Sequence, residues 1–116
     1  MIHAARTPEE LETLFEDAFV LRDPEAVAPL FEARALLVVG GSAGEARGNE
    51  EIALSASTLW ARDYTYVADP RRVVQANDVA LVLAAQGTNV ARRSADGAWR
   101  YAISFLSVDH QTEEEK

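Results

Sequence analysis

The segment that most constrains this chain is residues 79–106, in which two apolar runs flank the pair Asp96-Gly97. An Asp-Gly pair between β-type runs is a strong hairpin signal, because a type I′ turn needs positive φ at both central residues and glycine adopts it freely. With that pair as a two-residue loop, Val90 lies opposite Ile103. We therefore predict a long β-hairpin with a defined register.

This register sorts the hairpin side chains into two faces, because side chains alternate along a strand. Thr88 lies opposite Phe105 on the more apolar face, which we predict to face the core. A β-bulge, common in curved sheets, would shift the pattern by one residue and turn Asn89 and Ser104 inward instead. The predicted inner face comprises Gln86, Thr88, Val90, Trp99, Tyr101, Ile103 and Phe105, and the predicted outer face comprises Asn89, Ala91, Arg93, Arg100, Ala102 and Ser104.

Two cap-then-proline pairs predict helices ahead of the hairpin. Thr7-Pro8 begins a helix that runs to about Arg22, and Asp23-Pro24 begins a short helix that ends by Ala33, because Thr and Asp side chains cap free N–H groups and proline suits the first helical position. The acidic residues of the first helix, Glu12 among them, are predicted to be solvent-exposed. The apolar stripe that should cover the sheet is Leu11, Leu14, Phe15, Ala18 and Phe19.

The middle of the chain predicts three strands and one more helix. Residues 35–39 form a short buried strand, followed by a loop to Gly48 and a helix over residues 49–61 that is capped by its asparagine. Residues 64–67 and 72–76 have β-type composition and lead into the hairpin. The order predicts an α+β fold, in which three N-terminal helices pack on one face of an antiparallel sheet.

Composition limits the partners and the compartment. The 116 residues suffice for one domain, predicted over residues 1–110, with an acidic tail at 111–116. The net charge of −8 argues against nucleic acids and anionic membranes, since both require a basic surface. There is no cysteine, no apolar run of membrane-spanning length and no signal-peptide pattern, so we expect a soluble cytoplasmic protein.

One sequence pattern resembles a catalytic motif but lacks its context, and the two histidines do not form a metal-binding pattern. Residues 40–44 read G-x-S-x-G, the nucleophile elbow of hydrolases, which needs a helix directly after the serine and downstream acid and histidine partners. The next helix begins only at Asn49, so a glycine-rich loop is the favoured interpretation. His3 and His110 lie near opposite chain ends without metal-ligand spacing, and we predict no metal and no cofactor.

The helix-helix-strand-helix-meander order resembles the SnoaL-like and ketosteroid isomerase-like proteins of the nuclear transport factor two-like superfamily. Two short segments carry the resemblance in detail: GNEEI at residues 48–52, which opens the third helix, and DGAWR at residues 96–100, which opens the last strand. The resemblance covers residues 7–107. It implies a cystatin-like cone, in which a curved antiparallel sheet wraps the helices around an apolar pocket, and dimers formed through the outer sheet face.

The catalytic residues of the isomerases are missing at their expected places. Ketosteroid isomerases carry an aspartate base on the first strand, whereas residues 35–39 contain no acid, and their oxyanion tyrosine lies on helix one, where this chain has Phe15 and Phe19. Histidines that many relatives place on the last strand are replaced by Ile103 and Phe105. The resemblance therefore implies an apolar pocket without the isomerase apparatus.

Three functional hypotheses follow. The first is a domain that binds a small apolar molecule in the pocket. The second is an isomerase, dehydratase or cyclase acting on a small apolar carbonyl compound with Tyr64 or Tyr101 as donor, and an acid near Tyr101 would favour it. The third is a structural dimerisation module. Although aromatic residues are more often core than pocket, the predicted ligand-binding residues are Phe15, Phe19, Leu59, Trp60, Tyr64, Gln86, Thr88, Tyr101, Ile103 and Phe105.

The run VALVLAA at residues 79–85 predicts a homodimer. A sheet covered on one side only should alternate apolar and polar residues, but this run is apolar throughout. A second copy packed through the outer sheet face would cover Leu81, Leu83 and Ala85. Arg93 and Arg100 are predicted to lie nearer the rim of that contact, facing the acidic partner.

Overall fold

The computed structural model describes residues 4–40, 44–64 and 66–107. These residues form a six-stranded sheet and three α-helices with one 3-10 turn, so the α+β prediction is confirmed. The elements in chain order are α1 (Pro8–Leu21), α2 (Pro24–Val27), the 3-10 turn (Ala28–Leu30), β1 (Phe31–Val39), β2 (Gly44–Arg47), α3 (Asn49–Ala61), β3 (Pro70–Ala76), β4 (Val79–Ala84), β5 (Gly87–Arg93) and β6 (Trp99–Leu106).

The strands follow the order β2-β1-β6-β5-β4-β3 across the sheet. Strands β3 to β6 form an antiparallel meander, and β2 pairs antiparallel with β1. The prediction of a wholly antiparallel sheet is wrong at one place, because β6 runs parallel to β1. After four intervening strands and a helix, the last strand returns beside the first in the same direction.

The predicted hairpin forms, but a β-bulge changes which side chains face inward. Val90 pairs with Ile103, as predicted, and the register then shifts so that Ala91 pairs with Tyr101. Because the extra residue reverses the alternation, Ile103 and Phe105 lie on the outer face, each 46% exposed. The inward placement predicted for Thr88, Val90, Ile103 and Phe105 is therefore wrong, and Asn89 and Ser104 are buried in their place, as the bulge alternative anticipates.

The first helix has the predicted bounds and cap. The Thr7 side chain accepts a hydrogen bond from the Glu10 N–H at 3.0 Å, which satisfies one of the free donors at the helix start. The helix packs on the sheet through a cluster of aromatic rings centred on Phe15, whose ring lies 4.7 Å from that of Tyr66 and 5.5 Å from that of Tyr101. These rings fill the space between helix α1 and the inner sheet face.

Several predicted boundaries need correction. The first strand begins at Phe31 rather than at residue 35, and the predicted loop contains strand β2. Gly48, with φ of 86°, stands in the N-cap position that was predicted for Asn49. Of the predicted strand 64–67, the described residues lie outside strands: Val67 donates its N–H to the side-chain carbonyl of Gln86 at 2.7 Å instead of to a neighbouring strand.

Some predictions fall outside the described residues, namely those for His3, His110, residues 41–43 and the acidic tail 111–116. In the described part of the chain, no helix is long and apolar enough to cross a membrane.

Candidate active site

Helix α1 carries a glutamate into the core. Glu12 lies beside Leu11 and precedes Phe15 by three positions and Phe19 by seven, so it shares their inward face. Its side chain is completely buried, like those of Leu11 and Phe15. The prediction that Glu12 is solvent-exposed is therefore wrong, because three polar groups on the facing strands and loop provide the partners that the sequence pattern does not reveal.

Three donors surround the Glu12 carboxylate. Oε1 accepts a hydrogen bond from the Tyr66 hydroxyl at 2.5 Å, while Oε2 accepts one from the Tyr101 hydroxyl at 2.6 Å and one from Nδ2 of Asn89 at 2.8 Å. Both carboxylate oxygens of Glu12 therefore act as acceptors. We name Glu12, Tyr66, Asn89 and Tyr101, together with Ser104, the Glu12 cluster.

Ser104 fixes the orientation of the Asn89 side-chain amide. Its hydroxyl donates to Oδ1 of Asn89 at 2.5 Å, which leaves the Asn89 NH2 group directed at Glu12. The β-bulge places both residues on the inner face, since without it Asn89 and Ser104 would point outward. Strands β5 and β6 thus hold the donor side of the cluster in a single arrangement.

Electrostatics keep both phenols protonated. Burial raises the pKa of Tyr66 and of Tyr101 well above the ordinary tyrosine value, and the nearby Glu12 carboxylate raises both further. Within residues 4–40, 44–64 and 66–107, no cation forms an ion pair with Glu12. Burying a carboxylate that has hydrogen-bond donors but no counter-cation lowers the stability of the folded chain. Such groups concentrate at functional sites.

The predicted site residues divide between the two sheet faces and the core. Tyr101 belongs to the Glu12 cluster, and Phe15, Phe19, Leu59 and Trp60 are buried around it or in the adjoining core. Tyr64 is half-buried beside that core, and Gln86, in the turn between β4 and β5, accepts a hydrogen bond from the Val67 N–H. Thr88, Ile103 and Phe105 lie on the outer face and cannot line a site beneath helix α1.

The predicted site residues omit Glu12 and Tyr66, and the sequence placed Asn89 and Ser104 inward only in its bulge alternative. A signal existed for Glu12, because it interrupts a helix stripe that is otherwise apolar on the buried side. The described residues include no group of acidic, histidine or cysteine side chains that could hold a metal ion.

Solved structures with the same architecture identify the fold of the chain. A ketosteroid isomerase-like protein from Erwinia carotovora atroseptica has a TM-score of 0.69 at 20% identity, and the match covers 89% of this chain and 94% of that one. A protein from Novosphingobium aromaticivorans, described as NTF2-like with a cystatin-like fold, has a TM-score of 0.68 at 19% identity, covering 91% and 82%. The chain has an NTF2-like fold.

A third structure with a similar architecture comes from Thiobacillus denitrificans. It is provisionally named a calcium/calmodulin-dependent protein kinase type II association domain, with a TM-score of 0.74 at 18% identity and coverage of 93% of this chain and 99% of that one. The sequence itself matches no family model and no curated protein. The resemblance stated from the sequence is thus confirmed for the NTF2-like fold, while the acid lies on helix α1 rather than on the first strand.

Proposed function

We propose that the protein binds a small apolar carbonyl compound at the Glu12 cluster and moves a proton on it, as an isomerase or dehydratase does. The observation that carries the proposal is the position of Glu12, whose carboxylate lies 2.6 Å from the Tyr101 hydroxyl inside an aromatic core. An acid within reach of that tyrosine is the feature that favours an enzyme over a passive binding module.

The roles follow from the chemistry of the two groups. Glu12 is the base, because an ionised carboxylate in apolar surroundings can accept a proton from the carbon next to a carbonyl group. Tyr101 or Tyr66 turns its hydroxyl from Glu12 to the carbonyl oxygen and stabilises the enolate that forms. Glu12 then returns the proton to the same molecule at another carbon, or to a hydroxyl that leaves as water.

Entry of the compound requires the wall of the core to open. Tyr66 lies between α3 and β3, outside the helices and strands. Segments without a regular backbone ladder cost the least to displace. We propose that the Tyr66 side chain moves aside and that the aromatic side chains of Phe15 and Phe19 then contact the apolar body of the compound.

Hydrogen–deuterium exchange tests the proposal directly. Cyclohexanone and cyclohexenone are incubated with the protein in heavy water, and proton NMR follows the loss of the signals next to the carbonyl group. The wild-type protein should accelerate the loss above the buffer rate, and Glu12→Gln should lower the acceleration by at least about a hundredfold. Exchange no faster than in buffer for either compound would count against the enzyme.

The control variants separate chemistry from folding. Glu9→Gln removes an exposed carboxylate from the same helix and should keep the wild-type rate. Tyr101→Phe removes a donor but keeps the ring, and should slow exchange while circular dichroism remains native. If Glu12→Gln is folded and exchanges as fast as Glu9→Gln, Glu12 is not the base.

A second candidate function, a dimerisation module, is favoured by the outer sheet face. Leu81 and Leu83 are 38% and 36% exposed there, and the bulge adds Ile103 and Phe105 to the same face. An apolar face of this kind on a monomer is a liability that a second copy would remove. Arg93 and Arg100 pair with aspartates of their own chain, so the proposed contact depends on the apolar side chains.

A further inference from the structure

We propose that the groove between helices α1 and α2 binds a small amphipathic amine, with the apolar tail in the groove and the ammonium group at its acidic rim. The groove has a volume of about 490 Å³, within the range of pockets that hold small molecules. It lies on the side of helix α1 that faces α2 and the 3-10 turn. The inference does not depend on the proposed function of the Glu12 cluster.

The walls of the groove are apolar. Leu14 and Leu21 of helix α1 face Ala26, Pro29 and Leu30 across it. Leu21 is 71% exposed, so most of its side chain is in contact with solvent. The walls therefore offer a surface on which an alkyl tail could be removed from water.

The rim of the groove is acidic. Asp17, Asp23 and Glu25 line it, and no cationic side chain does so among the described residues. Arg22 is the nearest arginine along the chain, but its guanidinium donates to Asp63 at 3.2 Å. The rim carboxylates thus have no arginine of their own chain beside them in the groove.

The C-terminus of helix α1 adds to the negative potential of the groove. The carbonyl end of a helix carries a partial negative charge that favours cations. Helix α1 has no basic residue in its last turn, and it ends at Leu21, in the wall of the groove. Apolar walls, three carboxylates and a helix C-terminus together select a cation with an apolar tail over a neutral or anionic molecule.

Three probes with one tail and different head groups test this selection. Octylamine, octanol and octanoate are titrated below their micelle concentrations at low salt, and NMR chemical shifts report where each binds. We expect octylamine to bind with shifts at Leu14, Leu21 and Ala26, octanol to bind more weakly and octanoate not to bind. Equal binding of all three, no binding of octylamine, or shifts confined to the Glu12 cluster would overturn the proposal.

Matched variants distinguish the contribution of the rim carboxylates to binding from that of the apolar walls. Asp17→Asn with Glu25→Gln should weaken octylamine binding roughly threefold to tenfold and leave octanol unchanged. The control pair Glu9→Gln with Glu50→Gln changes the net charge equally, away from the groove, and should bind octylamine as the wild type does. Leu21→Ser should weaken both octylamine and octanol. If Leu21→Ser instead halves the mass measured by light scattering, the groove is a contact between copies and the amine site is wrong.

Discussion

The hydroxyl of Tyr101 donates to Oε2 of Glu12 over 2.6 Å and so joins the last strand to the first helix inside the core. Glutamine at position 12 would offer one acceptor oxygen in place of two, and its NH2 group would face donors. We therefore expect Glu12→Gln to lower the free energy of unfolding by about 2–4 kcal/mol. Urea denaturation measures the loss, and Glu9→Gln, at an exposed position, should change stability by less than about 0.5 kcal/mol.

The raised pKa values of Tyr66 and Tyr101 predict a decline in stability at high pH. Both phenols stay protonated in the folded chain, whereas in the unfolded chain they ionise near pH 10. The stabilisation is thus complete below about pH 10 and is lost as the pH rises further, by about 1.4 kcal/mol per pH unit for each phenol. Urea titrations across this range measure the slope.

Single substitutions assign that slope to the cluster. Tyr101→Phe should remove about half of the decline, because one of the two buried phenols is gone. Tyr66→Phe should remove the other half, because it removes the second buried phenol of the Glu12 cluster. An unchanged slope in Tyr101→Phe would contradict the assignment.

Gly87 is required where strand β5 begins. A Cβ atom built there would lie 2.2 Å from the backbone oxygen of Phe105, so the paired strand would have to shift. We expect Gly87→Ala to destabilise the protein by about 1–3 kcal/mol. Among the described residues, a Cβ atom built at Gly40 would meet no atom closer than 3.4 Å, and Gly40→Ala should be tolerated. Thermal unfolding of the two variants gives the comparison, and equal melting temperatures would contradict the argument.

Local sequence signals predicted the elements of the fold well. The cap at Thr7 and the pairing of Val90 with Ile103 depend on residues close in sequence, and both appear in the structure. The two-residue loop predicted at Asp96-Gly97 is wrong, because Gly97 has positive φ but Asp96 does not, and the last strand pair before the turn is Arg93 with Trp99. The parallel pairing of β1 with β6 joins strands that are far apart along the chain. No local pattern encodes such a pairing, so it could not be predicted.

The candidate site was harder to predict because it depends on a β-bulge and on contacts between distant residues. Before the structure, alternation placed Asn89 and Ser104 outside, and hydropathy placed Glu12 in solvent. One extra residue in β6 turns Asn89 and Ser104 inward, so that Asn89 donates to Glu12 and Ser104 holds Asn89. The other two donors, Tyr66 and Tyr101, do not depend on the bulge, so the burial of Glu12 also required contacts between the first helix and distant residues that no local pattern encodes.

The last prediction is a homodimer formed through the outer sheet face. A single charged side chain on that face should dissociate it. Phe105 is 46% exposed on that face, and a glutamate there would be buried without a partner in a sheet-to-sheet contact. Light scattering at micromolar concentration should give roughly twice 12.7 kDa for the wild type and 12.7 kDa for Phe105→Glu. Leu54→Glu changes an exposed leucine on helix α3 and should leave the mass doubled. A wild-type mass of one chain would exclude the dimer. If both variants dissociate the dimer equally, the contact does not lie on the outer sheet face.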